Sequence, residues 1–220
     1  MALNARINRR RNECHALRHC KKFAFWQRAG MGMCQKYLTR ECLPMEKRDE
    51  LINLCVEFLS TVKDKTAGAH TEHWLNDNYG PHSETYQRVA RLVIEGVAQG
   101  WLANTEINGP HYRRGRLCEP CAETFYFSIT AVYMDSKGHE LNNAQRTFRG
   151  DYHCHPYGEL NMVIPLDEGA VLGGPQGWQG AGWTAPAPGS HHYPEVKNGA
   201  LIAFFFLPAG RISYDFQEQG

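Results

Sequence analysis

The sequence predicts an α+β protein in which a helical N-terminal segment packs on a C-terminal β-barrel domain. Apolar residues recur at helical spacing up to about residue 104, and short β-branched and aromatic stretches separated by Gly- and Pro-rich turns follow. The 220 residues, 42% hydrophobic and 21% charged, suit a globular protein with a sizeable core. We expect the helical segment over residues 45–104 and the barrel over residues 105–220.

Two amphipathic helices are predicted in the N-terminal part. The first covers residues 46–64, and the second runs from about Ser83, a residue type that favours the N-cap, to Trp101. Gly100 falls too early to close the second helix, so its end stays open. The polar, histidine-bearing stretch between the helices predicts a loop. The apolar faces consist of Leu51, Leu54, Cys55, Phe58, Leu59 and Val62 in the first helix, and of Tyr86, Val89, Ala90, Val93, Val97 and Trp101 in the second.

The second half of the chain predicts many short strands. Residues 125–134 (FYFSITAVYM) alternate between two faces and precede a turn at 135–138. Further strand candidates are residues 147–155, 159–166, 181–184, 200–207 and 211–216. Short strands broken by such turns are typical of a sandwich or a barrel.

Residues 1–44 form a basic arm, with ten Lys or Arg against two acidic residues, a net charge of +8. Three interpretations stay open: a disordered arm, which would suit nucleic acid; a targeting signal; or a start assigned too far upstream of Met45. The rest of the chain carries −7. We favour the last interpretation and expect no nucleic-acid partner.

The composition also bears on the cellular compartment. The longest apolar run, residues 200–207 (ALIAFFFL), has the length of a strand rather than of a membrane span. Four of the eight cysteines lie in the basic arm, and the chain is too long to need a disulfide framework. The lone CxxC of Cys118 and Cys121 is a weak signal that we interpret as ordinary thiols. We therefore expect a cytoplasmic protein with reduced thiols and no membrane partner.

A metal site is predicted in the segment GDYHCHPYGELNMVIPLDEG, residues 150–169. His153 and His155 are two residues apart, so on a strand they share a face. Glu159 follows after a Pro-Tyr-Gly turn that can bring it back towards them. Two imidazoles and a carboxylate are donors that iron, manganese, nickel and zinc all accept. We expect one divalent metal ion, whose identity the donors do not decide.

A third imidazole is predicted from the segment TAPAPGSHHYPEV, residues 184–196. His192 lies three residues after Gly189 and is the favoured ligand. The neighbouring His191 is the alternative, and it is also a candidate for binding the substrate.

These two segments resemble the paired motifs of the cupin superfamily over residues 147–216. Gly150, His153, His155, Glu159 and Gly169 match the first motif, and Pro-Gly-Ser-His-His matches the second. The stretch before His153 is shorter than usual, and the final Asn of the second motif is absent. The resemblance implies a cupin-type jelly roll with His153, His155, Glu159 and His192 as the metal ligands.

A narrower resemblance extends over residues 46–216, from YHCHPYGELNMVIPLD through GWQGAGWTAPAPGSHHYPEV to GALIAFFFLPAGRISYD. The sequence is similar to the 4-hydroxylaminobenzoate lyase family of nitroaromatic degradation. This similarity implies conversion of 4-hydroxylaminobenzoate to 3,4-dihydroxybenzoate (protocatechuate) with release of ammonia. It also implies a small aromatic carboxylate as the substrate partner. Whether the protein forms a homodimer is left open.

The implied reaction assigns roles to further residues. Glu159 is expected to bind the metal or act as general acid–base, and His192 to take part in catalysis. An Arg is expected to bind the substrate carboxylate, and an aromatic such as Trp183 to stack on the ring. The candidate arginines are Arg113, Arg114 and Arg116, interpreted as a loop before the barrel, together with Arg149 and Arg211. The alternatives are a cupin dioxygenase or isomerase with another substrate, and a non-catalytic small-molecule-binding cupin.

Deleting residues 1–44 is expected to leave folding and activity essentially unchanged. The arm lacks the hydrophobic periodicity with which a helix or strand would pack on the body. Thermal unfolding and an activity assay of the two chain lengths would check this. A large drop in melting temperature would show instead that the arm packs on the body.

Overall fold

The computed structural model describes residues 42–137 and 147–215. Within these ranges the chain forms helices α1 (Cys42–Val62), α2 (Ala69–Tyr79) and α3 (Glu84–Ala98), followed by antiparallel strands. The strands are β1 (Thr105–Glu106), β2 (Tyr112–Cys118), β3 (Phe127–Asp135), β4 (Thr147–Arg149), β5 (His153–His155), β6 (Leu160–Pro165), β7 (Val171–Gly174), β8 (Gly177–Gln179), β9 (Gly182–Thr184), β10 (Ser190–His192), β11 (Glu195–Lys197) and β12 (Ala200–Pro208). The α+β class is confirmed. The basic arm lies outside the described residues up to position 41.

Helices α1 and α3 confirm the predicted periodicity. The predicted apolar stripe of α1 is buried, although the helix begins at Cys42, upstream of Met45. Ser83 caps α3 by accepting a hydrogen bond from the backbone N–H of Tyr86. The expectation about Gly100 was wrong, because α3 ends at Ala98 and Gly100 follows its C-cap with φ +76°, the left-handed conformation that favours glycine at a helix end. None of the helices in the described ranges is long and apolar enough to cross a membrane.

Helix α2 lies where a loop was predicted, and contacts with strand β9 explain it. The Glu72 carboxylate accepts a hydrogen bond of 2.7 Å from the Ala185 N–H. Asn76 donates to the carbonyl of Trp183 and accepts from its N–H, both at 2.9 Å. The indole N–H of Trp183 donates to the Tyr79 carbonyl. These bonds satisfy the edge of β9 as a further strand would, and they depend on residues more than a hundred positions away in the chain.

Two sheets enclose the interior of the β-domain. In the described ranges, one sheet has the order β1-β2-β3-β12-β6-β9 and the other β4-β11-β7-β8, while β5 pairs with β10. Side chains from both sheets meet in one core cluster that includes Val132, Phe148, Leu172 and Val196. The interior between the sheets is therefore the place where the inward-facing side chains converge.

The helical layer covers the outer face of the larger sheet. Phe58 of α1 packs on Trp183 and Phe206, with ring centroids 4.9 and 5.2 Å apart. Met162 of β6 lies in the same layer with Tyr86 of α3. Strand β12 is consequently buried on both faces, which explains its uninterrupted apolar sequence.

Three predictions about the strands were wrong. Residues 147–155 are not one strand, because they form β4 and β5, which pair with different strands. The basic cluster around Arg113, Arg114 and Arg116 is strand β2, not a loop before the barrel, because it pairs with β3 along its length. The expected strand over residues 211–216 is no strand in its described part, where Ser213 makes only an isolated bridge to Cys154. The basic side chains therefore belong to the wall of the β-domain.

Replacing Asn76 by Ala is expected to lower the free energy of unfolding by about 1–3 kcal/mol, because both backbone groups of Trp183 lose their partner. Urea denaturation would measure the change. Asn78→Ala is the matched control, since this exposed amide bonds only to Trp74 within its own helix, and its effect should stay within about 0.5 kcal/mol. Equal effects of the two substitutions would contradict the role given to Asn76.

Candidate metal centre and adjoining cavity

Pairing of β5 with β10 brings three histidines together. His153 lies directly opposite His192, and Ser190 lies opposite His155. Side chains alternate along a strand, so His153 and His155 share the face on which His192 is also found. Local spacing supplies the first two imidazoles, and the strand register supplies the third.

The geometry of these histidines fits a metal ion. The Nε2 atoms of His153 and His155 are 3.1 Å apart, and those of His155 and His192 are 3.2 Å apart. Nitrogen ligands at about 2.0–2.1 Å from one ion lie about 3.0–3.4 Å from each other. Among the described residues, this is the group of His, Cys, Asp or Glu side chains close enough to share an ion. Its buried ligand atoms could hold one divalent metal.

The protonation of the histidines also suits metal binding. Burial, with a smaller contribution from neighbouring imidazoles, lowers the pKa of His155 to about 3 and that of His192 to about 4. Burial lowers the pKa of His153 as well. His153 Nδ1 is 2.9 Å from the Asp151 carbonyl oxygen, an arrangement that leaves its Nε2 free to coordinate. The three rings are therefore neutral at pH 7, as metal ligands must be.

Glu159 lies beside this group but outside it. Its Oε2 is 3.6 Å from Nδ1 of His155, on the side of the ring away from Nε2. The turn before it contains Gly158 with φ +80°, where a Cβ would lie 2.7 Å from the Cβ of Ala67. Burial raises the pKa of Glu159 to about 8. The structure thus brings Glu159 to the histidines without placing it among the converging ligand atoms.

A cavity of about 370 Å³ adjoins the histidines between the two sheets. Its walls carry His153, His192, Glu159 and Asn161 together with Arg114 and Arg116. The two arginines are exposed, so they stand at the rim, whereas Glu159 and Asn161 are buried. The cavity therefore combines a metal-binding wall with a cationic rim.

Strand alternation separates the candidate arginines. Arg114 and Arg116 of β2 line the cavity, while Arg113 points to the other face and its guanidinium lies 4.4 Å from the centre of the Tyr133 ring. Arg149 is bound to Glu195 at 2.7 Å and covers Tyr193. The exposed Arg211 does not line the cavity. Only two of the five candidates are in position to meet a ligand there.

The two rim arginines differ in their partners. Arg116 forms a 2.7 Å ion pair with Glu119. Arg114 lies beside the hydroxyl of Tyr214, whose pKa is raised by burial and lowered in turn by the guanidinium. The ring of Tyr214 also lies edge-on to His153, with centroids 5.8 Å apart. Arg114 is therefore connected to the histidines through Tyr214. The carboxylate of Glu119 pairs with Arg116 and does not neutralise Arg114.

Two predicted substrate contacts lie away from the cavity. Trp183 is buried between the larger sheet and the helices, where its indole binds Tyr79 and stacks on Phe58. This differs from the expectation that Trp183 stacks on the substrate ring. An aromatic residue type alone does not show which face of β9 its side chain occupies. His191 points opposite to His192 and is hydrogen-bonded to the Tyr152 hydroxyl. The choice of His192 over His191 as the inward imidazole agrees with the strand register.

Sequence reasoning missed several cavity residues, among them Thr130, Asn161, Phe205 and Tyr214. A signal existed for Asn161, an isolated amide within the apolar strand LNMVIP. For the others, only the pairing of distant strands shows that they face the cavity.

Comparison with known proteins identifies close relatives. The model of the family described as PnbB, 4-hydroxylaminobenzoate lyase, matches residues 53–214. A 4-hydroxylaminobenzoate lyase of Pseudomonas putida is 84% identical over 176 residues, covering 80% of this chain and 100% of the relative. One of Nocardioides sp. (strain LMS-CY) is 61% identical over 171 residues, covering 78% of this chain and 96% of the relative.

Solved structures show only remote similarity. A chain from the crystal structures of the DMSP lyases RdDddP and RnDddQII covers 79% of this chain and 100% of its own length, with 14% identity and a TM-score of 0.38. The DMSP lyase DddQ from Ruegeria pomeroyi DSS-3 covers 77% and 98%, with 12% identity and a TM-score of 0.32. At these scores neither likeness bears on function.

The variants His153→Ala and His155→Ala are each expected to lose the bound metal, about one ion per chain, because two imidazoles hold a divalent ion poorly. Elemental analysis of the purified proteins would measure it. His191→Ala is the matched control and should keep its metal, since this imidazole points away from the group. Equal metal content in all four proteins would contradict the site.

Proposed function

Because the chain belongs to the 4-hydroxylaminobenzoate lyase family, we propose that it converts 4-hydroxylaminobenzoate to 3,4-dihydroxybenzoate and ammonia in the cavity between its sheets. It is an enzyme of this lyase type. The observation that supports the location is the presence of a three-histidine wall and a cationic rim in one cavity. The two ends of the substrate match these two features: the hydroxylamino group suits the histidine wall, and the carboxylate suits the cationic rim.

The reaction balances with one molecule of water. The N–O and C–N bonds of the substrate break, together with one C–H bond on the adjacent ring carbon and one O–H bond of water. Two C–O bonds form on adjacent ring carbons, and the two released protons form two N–H bonds on the nitrogen, which leaves as ammonia. The N–O bond is the internal oxidant, so no dioxygen or redox cofactor is consumed. This distinguishes the lyase from the alternative of a cupin dioxygenase.

We propose that His153, His155 and His192 hold the divalent metal, which is iron, manganese, nickel or zinc. Once bound, such an ion supplies Lewis acidity to an oxygen or lowers the pKa of water. The three neutral imidazoles contribute no negative charge, so they leave the charge of the ion undiminished. His192 takes part in catalysis in this sense, as a ligand.

Glu159 is proposed to move protons at the reacting end. Its carboxyl lines the cavity beside the histidines, and a leaving hydroxyl or amine needs a proton. The alternative is that the Glu159 carboxylate changes its rotamer and binds the metal. Its position beside His155 is compatible with this alternative. Its distance from the ligand atoms favours proton transfer.

The substrate carboxylate is proposed to bind Arg114. A carboxylate brought unpaired into a buried cavity costs several kcal/mol, so a cation has to meet it. Arg114 is at the rim, and within the described ranges it forms no ion pair comparable to that of Arg116 with Glu119. A guanidinium also offers two parallel hydrogen bonds to a carboxylate.

The compartment is inferred to be the reducing cytoplasm. Cys55, Cys118, Cys121 and Cys154 are not part of a disulfide, and three of them are buried. We therefore keep the interpretation of Cys118 and Cys121 as ordinary thiols.

The proposed function is tested by incubating the purified protein with 4-hydroxylaminobenzoate under anaerobic conditions and assaying ammonia and 3,4-dihydroxybenzoate. Both should accumulate in equal amounts. Activity that requires dioxygen would support the dioxygenase instead, and binding without turnover would support a non-catalytic cupin.

The variant Glu159→Gln is expected to keep its metal and to lose kcat by a factor on the order of 10²–10⁴, since the amide cannot transfer the proton. Elemental analysis and steady-state kinetics on the same preparation would measure both. Loss of the metal would show that Glu159 is a ligand.

The variant Arg114→Ala is expected to raise KM about 10–100-fold, equivalent to about 1.5–3 kcal/mol for a charge-assisted bond, with metal content intact. Arg113→Ala is the matched control on the same strand, and its KM should not change because it faces Tyr133. An unchanged KM in Arg114→Ala would place the carboxylate elsewhere.

A further inference from the structure

A row of side chains crosses the cavity on the inner face of the larger sheet. The strand register places Arg116 opposite Thr130, Thr130 opposite Phe205, Phe205 opposite Asn161, and Asn161 opposite Thr184. Residues directly opposite each other in an antiparallel sheet point to the same face. All five line the cavity.

Two polar groups of this row have no hydrogen-bond partner in the described structure. They are the hydroxyl of Thr130 and the side-chain carbonyl of Asn161, and each residue is only 5% exposed. Buried polar groups are almost always satisfied, so an unsatisfied pair facing a cavity indicates the ligand that satisfies it. Neither group belongs to the histidine wall or to the arginine rim.

The spacing of this pair suits an aromatic ring with a polar substituent at each end. Strand β12 separates β3 from β6, so the two strands that carry the polar groups are about 9–10 Å apart. The half-buried Phe205 ring lies between them and offers an apolar face. A para-disubstituted benzene on this ring directs one substituent towards each polar side chain.

The strand order distinguishes the two ends of this row. On the Thr130 side lies β2 with the rim cations Arg114 and Arg116. On the other side Asn161 follows Glu159 by two residues, and Glu159 lies 3.6 Å from His155. The carboxylate end of a substrate therefore belongs with Thr130 and the reacting nitrogen with Asn161.

We propose that Phe205, Thr130 and Asn161 form the subsite that orients the substrate, with Phe205 beneath the ring, Thr130 bonded to the carboxylate and Asn161 accepting from the nitrogen. The proposal rests on the substrate of the proposed function. It goes beyond that function by assigning residues to the two ends and by fixing which end faces the histidines.

The test is calorimetric binding of benzoate and 4-aminobenzoate to the full-length, metal-loaded protein, without turnover. Benzoate has only the carboxylate end, whereas 4-aminobenzoate adds N–H donors at the other end. In the wild type, 4-aminobenzoate should bind more tightly than benzoate. Thr130→Val should raise both dissociation constants about 5–10-fold and leave their ratio unchanged. Asn161→Leu should leave benzoate binding unchanged and abolish the preference for 4-aminobenzoate.

Controls separate contact from folding. Ser128→Ala removes a hydroxyl on the same strand that is also buried and unpartnered in the described structure but does not line the cavity, and binding should not change. Thr130→Ser should bind benzoate as tightly as the wild type, because, unlike Thr130→Val, it keeps the hydroxyl. Should Asn161→Leu fail to fold, Asn161→Ala removes the same carbonyl with less bulk, and melting temperatures identify the folded variants.

The outcomes decide the subsite independently of the reaction. A reversed pattern, with Asn161→Leu weakening benzoate and Thr130→Val abolishing the preference for 4-aminobenzoate, would overturn the orientation. Unchanged binding in both variants, or no binding of either ligand to the wild type, would overturn the subsite. If the expected pattern appears in a protein that releases no ammonia, the subsite stands and the reaction is wrong.

Discussion

Burial of strand β12 on both faces is the constraint on which the site depends. Its outer side chains, such as Phe206, pack against Phe58 of the helical layer, while Ala203 and Phe205 face the cavity. The strand pairs with β3 along its whole length and with β6 over six residues, so it sets the register of both. Because that register decides which residues face inwards, the apolar core positions the polar groups of the cavity.

The interior of the cavity is uncharged and the cations are kept at its rim. Burial holds the three imidazoles neutral and raises the pKa of Glu159, whereas Arg114 and Arg116 remain in contact with solvent. A buried charge without a partner is costly, so this distribution is stable before a ligand enters. An anionic substrate is attracted at the rim, and its uncharged end can pass into the neutral interior beside the histidines.

How much the sequence predicts depends on the range of the interactions involved. Helices α1 and α3 and the inner strands follow from periodicity, and His153 and His155 follow from a spacing of two on a strand. Helix α2 does not, because Asn76 is satisfied by the backbone of β9 and Glu72 by that of Ala185 directly after it. The same limit applies to the arginines of β2: only pairing with β3 shows which of them turn inwards.

Helix α2 links stability to the site through the edge of the larger sheet. Strand β9 is short and pairs with β6 over three residues, so its own ladder fixes it weakly. Asn76 binds both backbone groups of Trp183, and the Trp183 indole fills the gap against Phe58. A slip of one residue would turn Trp183 towards the cavity and Thr184 away from it, since alternate residues face opposite sides. The hydrogen bonds of α2 oppose that slip, so a helix without a residue in the cavity helps to keep Thr184 beside Asn161.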